Sequence, residues 1–163
     1  MKKTYELTVM ALLVAIGTLA SQFVWFPAGI AKAYPVQHMI NVIAAVSLGP
    51  LPAMGIAFGT GFLRNLFGTG SLLAFPGGMI GALLAGYLYQ RIGKPWAAAV
   101  GEVMGTGIVA SLVSVPYAAL FMGKAVGALA FVPSFFISSL SGAAIGVILV
   151  SSLRRTILNK NNS

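Results

Sequence analysis

The sequence predicts an all-α membrane protein, a bundle of six transmembrane helices with both termini in the cytoplasm. Its residues are 58% hydrophobic and 7% charged, whereas a soluble domain is usually about 25% charged. The apolar residues also gather into six stretches that are separated by Gly- and Pro-rich breaks. Because 163 residues cannot bury so much apolar surface in one aqueous core, lipid is the expected solvent of a single integral membrane domain.

The first stretch, Leu7 to Phe26, holds about 20 residues, enough to cross a bilayer core near 30 Å thick. Pro27 and Pro35 end it, and a segment carrying Lys32 and Tyr34 follows. The later breaks are Gly49 to Pro52, Gly68 to Ser71, the basic turn Arg91 to Pro95, and the loop around Lys124. The six predicted spans are residues 7–26, 37–48, 53–67, 74–90, 96–122 and 131–153.

The basic residues predict the orientation of the bundle. Six crossings put both termini on one side, and Lys and Arg are enriched in cytoplasmic loops. With the termini inside, the cytoplasmic side carries seven basic residues, namely Lys2, Lys3, Arg91, Lys94, Arg154, Arg155 and Lys160. The outer side then carries three, Lys32, Arg64 and Lys124. A cell membrane is the expected location of a multi-spanning bundle with this charge bias.

Small residues recur every fourth position in most of the predicted helices. Close backbone contact between such residues drives helix association in lipid. The repeats are Gly55 with Gly59, Ala53 with Ala57 and Gly61, Gly78 with Ala82 and Gly86, Gly101 with Gly105, and Ser138 with Gly142 and Gly146. We expect most of them to be internal packing seams.

The first helix has a different pattern. Thr8, Ala11, Ala15, Thr18 and Gln22 fall on one small, weakly polar face because they are spaced by three and four. That face fits an internal seam and equally fits a flat surface for another membrane protein.

The composition excludes several kinds of chemistry. Cysteine is absent, His38 is the one histidine, and Glu6 and Glu102 are the two acids. These counts exclude thiolate sites and any zinc site built from several His and carboxylate side chains. The P-loop, nucleophile-elbow and His-Glu-x-x-His motifs do not occur either. We expect no enzyme, no metal and no cofactor.

Polar and aromatic residues from separate stretches converge on the predicted outer side. Polar groups in a membrane usually face the bundle interior or a cavity, and such groups beside aromatics describe a small-molecule pocket. The candidate residues are Tyr34, Gln37, His38, Asn41, Arg64, Asn65, Phe75, Tyr117, Ser134 and Ser138. Each also has a plainer interpretation: Asn41 fits a helix–helix hydrogen bond, Arg64 a side chain that snorkels to headgroups, and the tyrosines an interfacial belt.

Glu102 lies six residues into the fifth span, about 9 Å along a helix that rises 1.5 Å per residue. That depth puts it in the inner half of the membrane, below the predicted pocket. It is a candidate for the pocket floor, for an ion pair with Arg64 or another cation, and for a role in coupling.

The pattern as a whole resembles a known class of transport protein. A small six-helix chain with Ala11 and Ala15 in its first helix resembles the substrate-binding S components of energy-coupling factor (ECF) vitamin transporters. Longer strings are more specific, and they run nearly the whole length of the chain. Pro35 to Val42, Leu48 to Pro50, Arg64 to Gly70 and Leu73 to Gly77 are similar to the ThiW family, which is assigned to the thiazole precursor of thiamine.

The resemblance implies a function and a set of partners. An S component binds its vitamin or precursor from outside and associates with a transmembrane coupling protein and two ATPase subunits. It is thought to topple in the membrane to deliver its ligand, while the ATPase subunits hydrolyse ATP. The first-helix alanines of S components contact the coupling protein, which assigns Ala11 and Ala15 to that interface.

The implied ligand is hydroxyethylthiazole or a related thiamine precursor. A flat, partly apolar ring suits Tyr34, Phe75 or Tyr117. Its nitrogen and hydroxyl suit Gln37, His38, Asn41, Asn65 and Arg64, with Glu102 and Ser138 completing the predicted site.

Four alternatives remain open from sequence. They are an S component for a different vitamin, an autonomous carrier or channel, a membrane enzyme that acts on lipid, and an assembly protein without a ligand. No internal repeat or lining of ionisable groups favours a carrier, and the shortage of acids and histidines disfavours an enzyme.

Overall fold

The computed structural model describes residues 2–161, with side chains described for residues 3–154. Most of these residues are helical, and together they form six continuous helical segments, which confirms the helical class and the number of helices. The helices are α1 (Lys2–Phe23), α2 (Pro35–Leu48), α3 (Pro50–Leu66), α4 (Ala74–Ile92), α5 (Pro95–Met104), α6 (Ser111–Met122) and α7 (Val132–Asn161). A π-helical segment, Gly105–Ala110, joins α5 and α6 into one rod.

A short antiparallel hairpin follows α1, where the sequence predicted the end of the first span and an irregular segment. Its strands are β1 (Phe26–Ala28) and β2 (Ala31–Ala33), and Phe26 pairs with Ala33. The hairpin turns at Gly29, whose positive φ of 63° is a conformation that glycine adopts without steric cost. The first helix ends at Phe23, three residues before the predicted end at Phe26, and the hairpin that follows covers one end of the bundle.

The junction between α2 and α3 is a single residue. Gly49 has φ 93°, which ends α2, and Pro50 begins α3 at a helical position where its missing N–H costs nothing. Both helices are short, with 14 and 17 residues, or about 21 and 26 Å at 1.5 Å per residue.

Three helices are long and apolar enough to cross a membrane by length and composition, over Lys3–Phe23, Pro95–Met122 and Val132–Arg154. They identify the chain as a membrane protein. The crossing of all six rods and the cytoplasmic termini stay predictions. The seventh helical element extends to Asn161, beyond the span end predicted at residue 153.

The small-residue seams lie at helix crossings, as the spacing predicted. A Cβ on Gly86 would lie 2.3 Å from Cα of Pro50, and one on Gly105 would lie 2.8 Å from Cα of Gly81. A Cβ on Gly142 would lie 2.1 Å from the carbonyl oxygen of Pro35. These approaches let α4 pack against α3 and against the π-helical segment, and α7 against α2, so glycines occupy these three helix crossings.

Helix α1 lies at the edge of the bundle, where it packs mainly on α3 and α2. Gly55 and Gly59 of α3 face Met10 and Val14 of α1. The face of small residues predicted on α1 is exposed in its first part and covered toward its end. Thr8, Ala11 and Ala15 are exposed, whereas Thr18 is buried and Gln22 lines a cavity.

The cationic side chains separate between the two ends of the bundle. Lys3, Arg91, Lys94 and Arg154 lie toward the end where α1 begins and α4 ends. Lys32, Arg64 and Lys124 lie at the other end, around one cavity. The side chains of Lys2, Arg155 and Lys160, which the orientation argument also used, lie outside the described residues.

Candidate ligand-binding site

A cavity of about 730 Å³ opens at the end of the bundle where α2 begins and α3 ends. Its size falls within the usual range of small-molecule sites, about 300–1,000 Å³. The β hairpin, the loop between α3 and α4, and the start of α7 enclose it. Apolar wall residues include Trp25, Ile30, Leu73, Phe131 and Phe135. The cavity thus combines apolar walls with a small set of polar groups.

The carboxylate of Glu102 lies just behind the cavity and is fully buried. Its Oε1 is 2.6 Å from Nδ1 of His38 and 3.0 Å from Nδ2 of Asn41. The hydroxyl of Thr106 is also 3.0 Å from Oε1, and it lies 2.9 Å from the carbonyl oxygen of Gly77. Glu102 of α5 thus contacts α2 and the π-helical segment directly, and Thr106 extends the network to α4. These hydrogen bonds offset part of the cost of burying a polar group.

His38 connects this network to the cavity. The side chain is 6% exposed and lines the cavity wall. Because Nδ1 is held by Glu102, the imidazole orientation is fixed. Nε2 has no hydrogen-bond partner within the part of the chain that the structure describes. This second ring nitrogen is therefore a polar group that a ligand can use.

Arg64 of α3 forms another part of the cavity wall. Its guanidinium donates from Nη1 to Oε1 of Gln37, and Nη2 lies 3.4 Å from the carbonyl oxygen of Thr69. The guanidinium carbon sits 3.7 Å from the ring centroid of Tyr34, a cation–π stack. Arg64 is only 2% exposed although it lines the cavity, so it faces inward and does not snorkel toward headgroups.

Tyr34 is held from three sides. Its backbone N–H donates to Oγ of Ser138 at 2.7 Å, and its hydroxyl donates to the carbonyl oxygen of Thr69 at 3.1 Å. The guanidinium of Arg64 covers its ring. Ser134 donates to the carbonyl oxygen of Ala28 and so joins α7 to the hairpin. The hairpin, α2 and α7 are thus fixed to one another at the cavity rim.

The structure separates the candidate residues into three groups. Those that line the cavity are Tyr34, Gln37, His38, Arg64 and Ser138. Asn41 and Glu102 lie one layer behind it, and Glu102 pairs with His38 instead of Arg64.

Asn65, Phe75 and Tyr117 do not contribute to the cavity wall among the described residues. The amide of Asn65 donates to the carbonyl oxygens of Gly61 and Ser71. Phe75 packs against Phe58, and Tyr117 packs against Phe121. Their roles in binding stay predictions.

Several cavity residues were not singled out from the sequence. Thr106 follows Glu102 by four, a spacing that puts both on one helix face, so the signal was present. Lys32 lies on the hairpin, Lys124 on the loop between α6 and α7, and Trp25 on the segment after α1. Nothing in their local sequence indicates that these segments fold over the same cavity.

The sequence is similar to a known protein family. A model described as "Thiamine-precursor transporter protein (ThiW)" matches residues 7–156, which is nearly the whole chain and confirms the resemblance. No curated protein matches the sequence.

Proposed function

This chain belongs to the ThiW family of thiamine-precursor transporters, and from that premise we propose that it is the substrate-capturing S component of an ECF importer. In this proposal all six rods cross the plasma membrane of a bacterium or archaeon. The cavity opens to the outside, both termini lie in the cytoplasm, and the captured ligand is hydroxyethylthiazole or a related thiamine precursor.

The observation that carries the proposal is the cavity itself. It is bounded by apolar residues, it is large enough for a small heterocycle, and it presents Nε2 of His38 and the amide of Gln37. A flat ring can stack on Tyr34 or on the phenylalanines at positions 131 and 135. The ring nitrogen and the hydroxyl arm would then meet the polar groups of α2 and Arg64.

The energy source is proposed to lie in partner subunits. The sequence carries no P-loop lysine motif, so a transmembrane coupling protein and two ATPase subunits would supply ATP hydrolysis. The exposed positions Ala11 and Ala15 on α1 suit close approach by a helix of the coupling protein, because small side chains let two helix backbones come together. We propose that this flank is the docking surface.

Ligand titration of the purified protein tests the binding role. We expect hydroxyethylthiazole to bind at micromolar concentration or below, with heat or a tryptophan fluorescence change, since Trp25 lines the cavity. His38→Ala is expected to weaken binding about tenfold or more, because a ligand loses a buried hydrogen bond. Gln90→Ala, an exposed polar position at the opposite end of the bundle, serves as the control and should bind as the parent does.

Two results would contradict the proposal. A flat titration with hydroxyethylthiazole and its close analogues would remove the proposed ligand class. Uptake into liposomes that contain this chain alone would instead favour an autonomous carrier, because an S component requires its coupling and ATPase partners.

A further inference from the structure

The charges around the cavity are all of one sign. The cavity is lined by Lys32 of the hairpin, Arg64 of α3 and Lys124 of the loop between α6 and α7. The chain has only two acidic side chains. Glu6 lies near the start of α1, and Glu102 is fully buried behind His38 with Oε1 engaged by three side chains. No carboxylate side chain lines the cavity among the described residues.

Arg64 is the most informative of these cations. Its side chain is 2% exposed, and no carboxylate lies within salt-bridge distance of it in the part of the chain that is described. A guanidinium carries five N–H donors. Two contacts are made, to Gln37 and to the carbonyl oxygen of Thr69, and Nε has no partner among the described residues.

Such an arrangement is costly without an anion. A buried charge in a membrane protein is normally paired, and neutral oxygens of an amide and a carbonyl do not supply the missing charge. Phosphate and carboxylate groups match the guanidinium fork with two parallel hydrogen bonds. The two exposed lysines add an attractive field at the rim, and Lys32 is held there with its Nζ 3.9 Å from the ring centroid of Trp25.

We propose that the ligand of this cavity carries an anionic group, a phosphate monoester or a carboxylate on a thiazole-sized aromatic ring, and that Arg64 binds it. This inference rests on the proposed function, since it narrows the precursor to its anionic forms. The ring would lie against the aromatic wall while the anion points to Arg64 and the rim lysines.

Three ligands of equal ring structure test the inference. Purified protein is titrated with hydroxyethylthiazole, with its phosphate ester, and with a thiazole carrying a carboxylate arm. We expect at least one anionic ligand to bind about 10- to 100-fold more tightly than the neutral alcohol, the range of one or two charge-assisted hydrogen bonds. The preference should shrink at high salt, because salt screens the rim lysines.

Variants identify the residues responsible. Arg64→Gln should weaken both kinds of ligand, because Arg64 is also proposed to meet the neutral hydroxyl arm, but it should remove the preference, measured as the ratio of the affinities for the anionic ligand and the neutral alcohol. Because Arg64 is buried and its replacement can impair folding, Lys32→Gln with Lys124→Gln is the second test, and both positions are exposed. That pair should lower affinity for the anionic ligand several fold. Lys94→Gln, an exposed lysine at the opposite end of the bundle, is the matched control and should change nothing.

The outcomes separate the two proposals. Equal or tighter binding of the neutral alcohol, with no effect of the rim lysines, would overturn the anionic ligand and leave the proposed function standing. Absence of binding by all three ligands would overturn both. Displacement of the phosphate ester by phosphatidylglycerol at equal concentration would make a lipid headgroup the anion and would also overturn the inference.

Discussion

At the scale of single residues, the site depends on how one carboxylate is held. Glu102 offers Oε1 to His38, Asn41 and Thr106, and its carboxylate lies beside Gly81 of α4. There is no space between that carboxylate and the backbone of α4. A Cβ on Gly81 would lie 2.0 Å from Oγ1 of Thr106 and 2.8 Å from both oxygens of Glu102. The absence of a side chain at residue 81 is therefore a condition for the network.

We expect Gly81→Ala to disrupt this network. The added methyl group must displace the Thr106 hydroxyl and the Glu102 carboxylate, and overpacking of this kind typically costs about 1–3 kcal/mol. His38 would lose its fixed orientation, so ligand affinity should fall together with the thermal midpoint in detergent. Gly127→Ala is the control, because a Cβ there would meet nothing within 4 Å. Equal midpoints and affinities for Gly81→Ala and the parent would show that the network tolerates the methyl group.

The sequence predicted only part of this arrangement of polar residues around the cavity. It indicated that His38, Asn41 and Arg64 share one depth, because helix lengths and directions follow from the breakers. It did not determine the partners, since spacing within one helix says nothing about which side chains face it from another. From sequence, an ion pair of Glu102 with Arg64 was one of several possible roles. The packing of α5 against α2 and α4 brings Glu102 to His38 instead.

At the scale of secondary-structure elements, hydrophobic periodicity could not predict the hairpin or the π-helical segment. The hairpin strands have three residues each, too short for an alternating pattern. The π-helical segment, Gly105–Ala110, is as apolar as the α-helix around it. Its widened turn carries Thr106 to Glu102 and Gly77, and such turns often occur at functional sites.

The proposed docking surface on helix α1 can be tested by substitution. We expect Ala11→Trp and Ala15→Trp to retain ligand binding, because both side chains are exposed and point away from the bundle. Each bulky ring would hold a partner helix away, so copurification with the coupling protein should be lost. Ala144→Trp, an exposed alanine on α7, is the matched control. Copurification of the α1 variants at the parent level would exclude this flank as the interface.

At the scale of the whole molecule, composition predicts a membrane protein. It does not predict which helices cross the bilayer or which end of the bundle faces outside. An apolar chain with few charges must fold in lipid, and the three long helices agree with that. Helices α2, α3 and α4 are shorter or more interrupted by Gly and Pro. Their crossing depends on burial among the other helices, which a hydropathy window does not measure.

Cysteine labelling tests the orientation, and the absence of native cysteine makes each introduced thiol unique. Ser71 and Lys94 are exposed at the two ends of α4. With the cavity facing outward, Ser71→Cys in intact cells should react with a membrane-impermeant maleimide, and Lys94→Cys should react only after permeabilisation. Both variants should react equally in detergent, which controls for thiol reactivity. Labelling of Lys94→Cys but not of Ser71→Cys in intact cells would turn the cavity toward the cytoplasm, and capture of a precursor from outside would then be impossible in this resting arrangement.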